Sequence, residues 1–267
     1  MNNMKKYLVI GNPIEPSLSQ QLHNHWIKIE KINAIYEKRK LNKNEIKDLI
    51  RDIKDQKING INVTVPFKQE VIPYLDELTE QAKKTQSVNT IYLGVKGITG
   101  HNTDIEGFEE SLRYVKYNVK DKDVLILGGG GVVPSIIFAL KNMQAQNIII
   151  SNRTREKAEN LKKIFENIKI IDWGKVPAVD MIINATSIGL NLEDRINLDY
   201  SKIKNKFFYD VIYNPSETDF LKSAKKFGNS VVNGKMMFIY QALYAFKLWH
   251  NLTPKINEEV IGLLDND

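Results

Sequence analysis

The chain has 267 residues, 42% of them hydrophobic and 26% charged, a globular balance with length for two domains. It contains no cysteine, which excludes disulfides, thiolate catalysis and cysteine-based zinc sites, and no run approaches the roughly 20 apolar residues of a membrane helix. The net charge of +6, from 38 Lys+Arg against 32 Asp+Glu, is dispersed through stretches such as "NKNEIKDLIRDIKDQK", a solvated helix face and not a nucleic-acid patch.

The opening "KKYLVIG" has too short an apolar segment for a signal peptide and reads as a strand entering a glycine loop, so a cytoplasmic protein is expected. From residue 4 to about 103 short apolar strands alternate with charged helices: "QQLHNHWIKIEKI", "AIYEKRKL", "KNEIKDLIRDIKD", "INGINVTV" and "LDELTEQAKKT". The segment "TIYLGVKGITGHN" carries glycines that suit a hairpin. Such alternation predicts a mostly parallel sheet covered by helices.

Within "GINVTVPFKQEV", Ile61, Val63 and Val65 alternate with Asn62 and Thr64, which predicts a strand with one apolar face. Pro66 ends it, and Phe67 to Val71 reads as the first turn of a helix. Lys68 then sits where the helix dipole disfavours a cation, which demands a reason for its presence.

After the helix "DIEGFEESLRYV" and the polar break "KYNVKDKD" a second α/β unit begins. In "DVLILGGGGVVP" the glycines Gly128, Gly129, Gly130 and Gly131 lie between an apolar strand and a helix. There Gly128 makes the tight turn and Gly130 allows close approach of a pyrophosphate, while Val133 replaces the usual third small residue. Pro134 is tolerated just inside the helix because its missing N–H has no partner there anyway. The next strand ends in "SNRTREK", without the carboxylate that an NAD ribose requires. Asn152, Arg153 and Thr154, with Arg155 and Lys157 nearby, suit a 2′-phosphate, so NADP is the expected cofactor. The strands "DMIINAT" and "KFFYDVIY" follow, and the final helix "MMFIYQALYAFKLWH" is apolar around most of its circumference.

Taken in order, "GNPIEPSLSQQLHN", "NVTVPFK", "SVNT", "GHNTD", "NRT", "NATSIGL" and "YQALYAFKLWH" resemble the shikimate dehydrogenase family over essentially the whole length. The resemblance implies an N-terminal α/β substrate-binding domain, residues 1–104 completed by 236–267, and a Rossmann-type NADP-binding domain at 105–235. The C-terminal helix would return to the first domain. It implies NADPH-dependent reduction of 3-dehydroshikimate to shikimate, by a monomer or homodimer with no nucleic-acid, membrane or metal partner. Lys68 and Asp104 match the catalytic pair of the family. Ser17 and Ser19 match its substrate-carboxylate hydroxyls, with Tyr213 as helper, and Thr64, Asn89 and Gln241 match groups that bind ring hydroxyls. Thr186, Ser187, Gly234 and Met237 match positions beside the cofactor.

The chain departs from the family pattern at Pro16, Gln20, His101, Ile105 and Met236, the last replacing a glycine close to the nicotinamide. Bland alternatives accompany each assignment: a surface lysine at 68, turn serines at 17 and 19, a core-satisfied amide at Gln241. Other classes are an NADP-binding regulator without activity, a relative preferring quinate or an amino-shikimate, and a nucleic-acid binder resting on charge alone. His23 and His25 lie two apart on a helix and share no face, so no metal constellation follows.

Overall fold

The computed structural model of the protein describes residues 4–191 and 193–265. The chain divides into two compact units. One holds the described residues up to Gly107 together with those from Ile239 onward; the other is Phe108–Phe238.

The first unit is built on β1 (Lys5–Gly11), β2 (Ala34–Lys40), β3 (Gly60–Val63), β4 (Glu77–Leu78), β5 (Thr90–Gly94) and β6 (Gly97–His101). Their order in the sheet is β2-β1-β3-β5-β6-β4. β1 pairs in parallel with β2 and β3, whereas β5 and β6 form the antiparallel hairpin expected from the glycines. Helices α1 (Ser19–Ile29), α2 (Ile46–Lys54) and α3 (Glu80–Thr85) accompany the sheet, and α4 (Asp104–Tyr114) follows it. α2 shows why its sequence is helical: Ile46, Leu49, Ile50 and Ile53 fall on one stripe and bury with Ile10, Ile61 and Ile91. Each such buried aliphatic side chain contributes about 1.5–3 kcal/mol.

Two expectations fail here. β3 is buried on both faces, Asn62 included, because α2 and other elements enclose this central strand on each side. The segment after it is a run of turns from Val65 to Val71, ending in a single 3₁₀ turn at Ile72–Tyr74, and not an α-helix. Only Val71 N donates back four residues, to Phe67 O. No helix dipole therefore acts on Lys68, and its backbone carbonyl instead accepts from Val88 N at 2.9 Å. "LDELTEQAKKT" is likewise helical only from Glu80, where Thr79 caps α3 and Glu77–Leu78 pairs with β6.

The second unit carries β7 (Asp123–Leu127), β8 (Asn147–Ser151), β9 (Ile168–Ile171), β10 (Met181–Asn184), β11 (Phe207–Asp210) and β12 (Ser230–Val232), all parallel. Their order is β12-β11-β10-β7-β8-β9. Counted from β7, this is the doubly wound order 3-2-1-4-5-6, with its switch point between β7 and β10. Helices α5 (Val133–Asn142), α6 (Arg155–Ile164) and α7 (Asp219–Lys226) connect the strands. The central strands read as unbroken apolar runs because both faces of the sheet are covered.

α8 (Lys235–His250) and the short α9 (Glu258–Gly262) end the chain. The later part of α8 packs in the first unit: Trp249 Nε1 donates to Ile91 O at 3.2 Å. Gly60 makes room for that indole, since a Cβ there would lie 2.3 Å from Trp249 Nε1. Phe246, Trp249 and His250 join Tyr7, His23, Trp26 and Tyr36 in one aromatic cluster.

Candidate functional site

In the first unit the turn after β3 delivers Lys68, and the first residue of α4 is Asp104. The Lys68 ammonium pairs with Asp104 Oδ2, and both side chains are about nine-tenths buried, with relative exposures of 11% and 9%. Asp104 Oδ1 accepts from Asn89 Nδ2 at 2.9 Å. Asn89 is fixed in that orientation because its Oδ1 accepts from Thr103 N at 2.8 Å and from Thr90 Oγ1 at 2.9 Å. Its amide also faces Gln241 Oε1, at the long distance of 3.5 Å. Four of the residues singled out from sequence, Lys68, Asp104, Asn89 and Gln241, thus meet in one place. Asp104 at a helix start also sits where the dipole favours an anion.

The two serines meet as well. Leu18 between them has φ −91° and ψ 4°, so the backbone is not extended; it turns into α1, whose first residue is Ser19. Ser17 Oγ donates to Ser19 Oγ at 3.1 Å. Thr64 closes β3: its backbone N–H donates to Ile10 O at 2.9 Å, and Gly11 leaves room for its methyl group.

Two residues that sequence reasoning passed over connect these groups. The Tyr36 phenol is hydrogen-bonded to Ser19 and donates to Asn62 Oδ1 at 2.7 Å. Asn62 Nδ2 in turn donates to Asn89 O at 3.1 Å and to Thr90 Oγ1 at 3.1 Å. A continuous polar chain therefore runs from the serines to the Lys68–Asp104 pair inside an apolar surround. Burial pushes the Tyr36 phenol well above its ordinary range, so it stays a neutral donor. The available signal was Asn62 itself, a polar residue within the central strand of the sheet, where burial without partners is costly.

The departures lie close by. His101 is buried, with Nδ1 2.9 Å from Thr79 Oγ1 and Nε2 3.5 Å from Glu106 Oε1. Ile105 is buried in the first turn of α4, Gln20 lies in α1, and Pro16 is exposed in the preceding turn.

In the second unit the glycine turn has the form a dinucleotide needs. Gly128 has φ +126°, and a Cβ there would lie 2.6 Å from Ala185 O, so only glycine fits. A Cβ at Gly129 would lie 3.1 Å from Lys157 Cβ and 3.2 Å from Asn152 Cγ. This places the glycine turn against the Asn152–Arg153–Thr154 turn. Gly130, by contrast, has only Ala185 O near, at 3.9 Å from a Cβ, so that side is open to an approaching phosphate. Gly131 follows, then α5 with Val133 fully buried and Pro134 in its first turn. Arg153, Thr154 and Lys157 are exposed, and Asn152 Nδ2 holds Thr154 O at 2.7 Å. Arg155 is taken up by Glu159 and Asp172, whereas Arg153 has no ion pair among the described residues.

Thr186 and Ser187 follow β10, held by Asn184, whose Oδ1 accepts from Thr186 N at 3.0 Å. Tyr213 packs against Phe238 in a tilted pair with centroids 4.4 Å apart. Gly234 presses on Val211, where a Cβ would come within 2.1 Å of the carbonyl oxygen, and Met236 and Met237 are both buried. Among the described residues no group of three or more His, Asp or Glu is arranged to hold a metal ion, and no helix is long and apolar enough to cross a membrane.

A doubly wound parallel sheet with a glycine turn at its switch point, in one chain with a second α/β unit carrying a buried Lys–Asp pair, defines a two-domain dinucleotide-binding protein. Residues 9–91 match the shikimate dehydrogenase substrate binding domain, and residues 110–215 match the shikimate / quinate 5-dehydrogenase family. The chain is 61% identical over 262 residues to the shikimate dehydrogenase (NADP(+)) of Pelagibacter ubique (strain HTCC1062), covering 98% of this chain and 99% of the relative. It superposes on the crystal structure of shikimate dehydrogenase from Aquifex aeolicus with a TM-score of 0.91 at 36% identity, covering 100% and 99% of the two chains. A shikimate dehydrogenase solved in complex with NADP+ gives the same TM-score and identity, over 99% and 96%. This chain belongs to the shikimate dehydrogenase family.

Proposed function

We propose that this chain interconverts 3-dehydroshikimate and shikimate with NADP(H), and that Lys68 and Asp104 manage the proton of that reaction. The observation that carries the reading is the buried Lys68–Asp104 pair, bound through Asn89 to Gln241. Residues 1–104 with 236–267 are assigned to substrate, and residues 105–235 to cofactor.

NADPH, when bound, supplies the hydride. Gly128, Gly130 and Gly131 would hold the pyrophosphate, and Asn152, Arg153, Thr154 and Lys157 the 2′-phosphate. Thr186, Ser187, Gly234 and Met237 would border the nicotinamide end. The glycine cradle that a Cβ would fill and the unpaired Arg153 guanidinium fit such a ligand.

Lys68 holds a proton on Nζ and delivers it to the substrate oxygen as negative charge develops there. Asp104 keeps the ammonium in one orientation, and Asn89 keeps Asp104 oriented through Oδ1. Ser17 and Ser19 offer hydroxyls to the substrate carboxylate, helped by Tyr213. Thr64, Asn89 and Gln241 would receive the ring hydroxyls. The protein is read as cytoplasmic, a monomer or homodimer, without a nucleic-acid or membrane partner.

The test is absorbance at the NADPH band with shikimate and quinate, each with NADP+ and NAD+. Rapid turnover with shikimate and NADP+ is expected. Turnover only with quinate, or only with NAD+, would reassign substrate or cofactor, and none at all would remove the activity.

A further inference from the structure

Asp210, the last residue of β11, is fully buried and takes no part in the chemistry above. Its Oδ1 accepts from Asn184 Nδ2 and from Ile212 N, each at 3.0 Å, and its Oδ2 from Thr218 Oγ1 at 2.6 Å. Burial still pushes this carboxyl up to about 6, so its charge is held at a cost that three donors only partly offset. Tyr200 and Tyr209, themselves neutral because of burial, are the titratable groups that feel it, with Asp219 beyond Tyr200.

Asn184 ends β10, the neighbouring strand. Its Oδ1 is committed to Thr186 N at 3.0 Å and Thr186 Oγ1 at 2.7 Å. Thr186 Oγ1 then accepts from Ile188 N at 3.0 Å. With the carbonyl side of the amide used in this way, only its NH₂ is left to face β11. That NH₂ requires an acceptor, and a carboxylate offers acceptors alone. Asn184 Nδ2 also donates to Ile188 O at 3.1 Å, so Asp210 and the Ile188 carbonyl together hold the Asn184 orientation that fixes the Thr186 backbone. Thr186 and Ala185 in turn press on Gly128, whose Cβ would lie 3.2 Å from Thr186 Cγ2. On the other side, Gly234 lies against Val211 and Gly189 against Thr218. The loops after β10 and β11 meet on this carboxylate, and the loop after β12 packs beside it on Val211 and Ile212, at the strand ends where ligands of doubly wound sheets bind.

We propose that Asp210 is a positioning residue that sets the cofactor affinity by fixing, through Asn184, the Thr186 loop against the glycine turn; this rests on the reading of the second unit as the NADP-binding one. Asp210→Asn can keep its carbonyl toward Asn184 and Ile212 and turn its NH₂ to Thr218, so the anchor survives without its charge. Asp210→Ala removes the anchor, and Thr218→Ala removes one donor and the cap of α7.

The experiment is calorimetric NADP+ binding and steady-state kinetics on the full chain, well below the lowest melting point of the set. Asp210→Ala should weaken NADP+ about tenfold, and Asp210→Asn and Thr218→Ala about threefold, with KM for shikimate within about twofold of wild type. If Asp210→Ala does not fold, the other two variants decide the matter. A folded set that binds NADP+ like wild type and differs only in melting temperature overturns the proposal. Equal rises in both KM values also overturn it. Wild type that fails to bind NADP+ at all removes the underlying site reading, and the positioning role with it.

Discussion

Asn89 Nδ2 donates to Asp104 Oδ1 at 2.9 Å, while the Lys68 ammonium takes the other oxygen of the same carboxylate. Each carboxylate oxygen thus has one committed partner, and the lysine Nζ retains further donors for a ligand. On the proposed reading, such a division of labour leaves the lysine to meet the substrate oxygen and the aspartate to aim it.

Lys68→Ala is therefore expected to lower kcat by about 10²–10⁴-fold while KM for shikimate moves only a few-fold, the signature of an interaction made in the transition state. The same change leaves a buried carboxylate without its cation, which costs about 3–5 kcal/mol of stability when one partner of a buried pair is lost. Circular dichroism must accordingly accompany the kinetics. A folded variant with nearly normal kcat would take Lys68 out of the chemistry.

Ser17 tests the binding side. Its hydroxyl is the donor to Ser19 and is itself only partly buried, so its removal leaves the Tyr36–Asn62 chain intact. Ser17→Ala should raise KM for shikimate about fivefold, the equivalent of about 1 kcal/mol, with kcat little changed. Initial-rate measurements with varied shikimate at saturating NADP+ decide it. An unaltered KM rejects the assignment of this serine to the substrate carboxylate.

Arg153 should decide the choice of cofactor. It is exposed beside the glycine turn without an acidic partner among the described residues, whereas Arg155 is already engaged by Glu159 and Asp172. Arg153→Ala is expected to raise KM for NADP+ about tenfold or more and leave KM for NAD+ unchanged, because only the former has a 2′-phosphate to lose. A parallel rise for both cofactors would mean that the residue shapes the turn and does not read the phosphate. Arg155→Ala serves as the comparison and should change neither.

Much of this was legible from the sequence, and the exceptions have physical causes. "DVLILGGGG" and the apolar runs after it gave the parallel sheet because a strand covered on both faces leaves a continuous hydrophobic signature. β9 and β12 were passed over, being short and only weakly patterned, and α7, although amphipathic, is only 8 residues long. The turn at Val65–Val71 resembles a helix start in composition, yet its backbone bonds to Val88, far along the chain, which no local pattern records. Lys68, Asp104, Asn89 and Gln241 were found as motif residues. Tyr36 and Asn62 were not, since their importance arises only when β2, β1 and β3 lie side by side and a phenol two strands away reaches the amide. Asp210 escaped for a similar reason: its partners Asn184 and Thr218 are tertiary neighbours.

Acid should unfold the protein through His23. This imidazole is fully buried, stacked on Tyr36 with centroids 4.2 Å apart, and neither nitrogen has a hydrogen-bond partner among the described residues. Burial, reinforced by the neighbouring His250, lowers it from 6.5 to about 3. His250, packed on Tyr7 and Phe246 and near the Lys5 charge, is lowered to about 4. Between these values and 6.5 the unfolded chain binds protons that the folded chain refuses. Stability is then full above pH 6.5 and falls as pH drops, by about 1.4 kcal/mol per pH unit for the fully buried His23 and by less for the partly exposed, solvent-screened His250. Asp210 acts in the opposite sense: raised from 3.8 to about 6, it makes the folded state the better proton acceptor, so its contribution is lost as pH rises through that interval. The two histidines outweigh the single carboxyl, and melting temperatures measured from pH 7 down to pH 4 should fall. In His23→Phe, which keeps an aromatic ring against Tyr36, that decline should flatten while the value at pH 7 changes little. Superimposable acid limbs in the two proteins would show that this imidazole does not carry the transition.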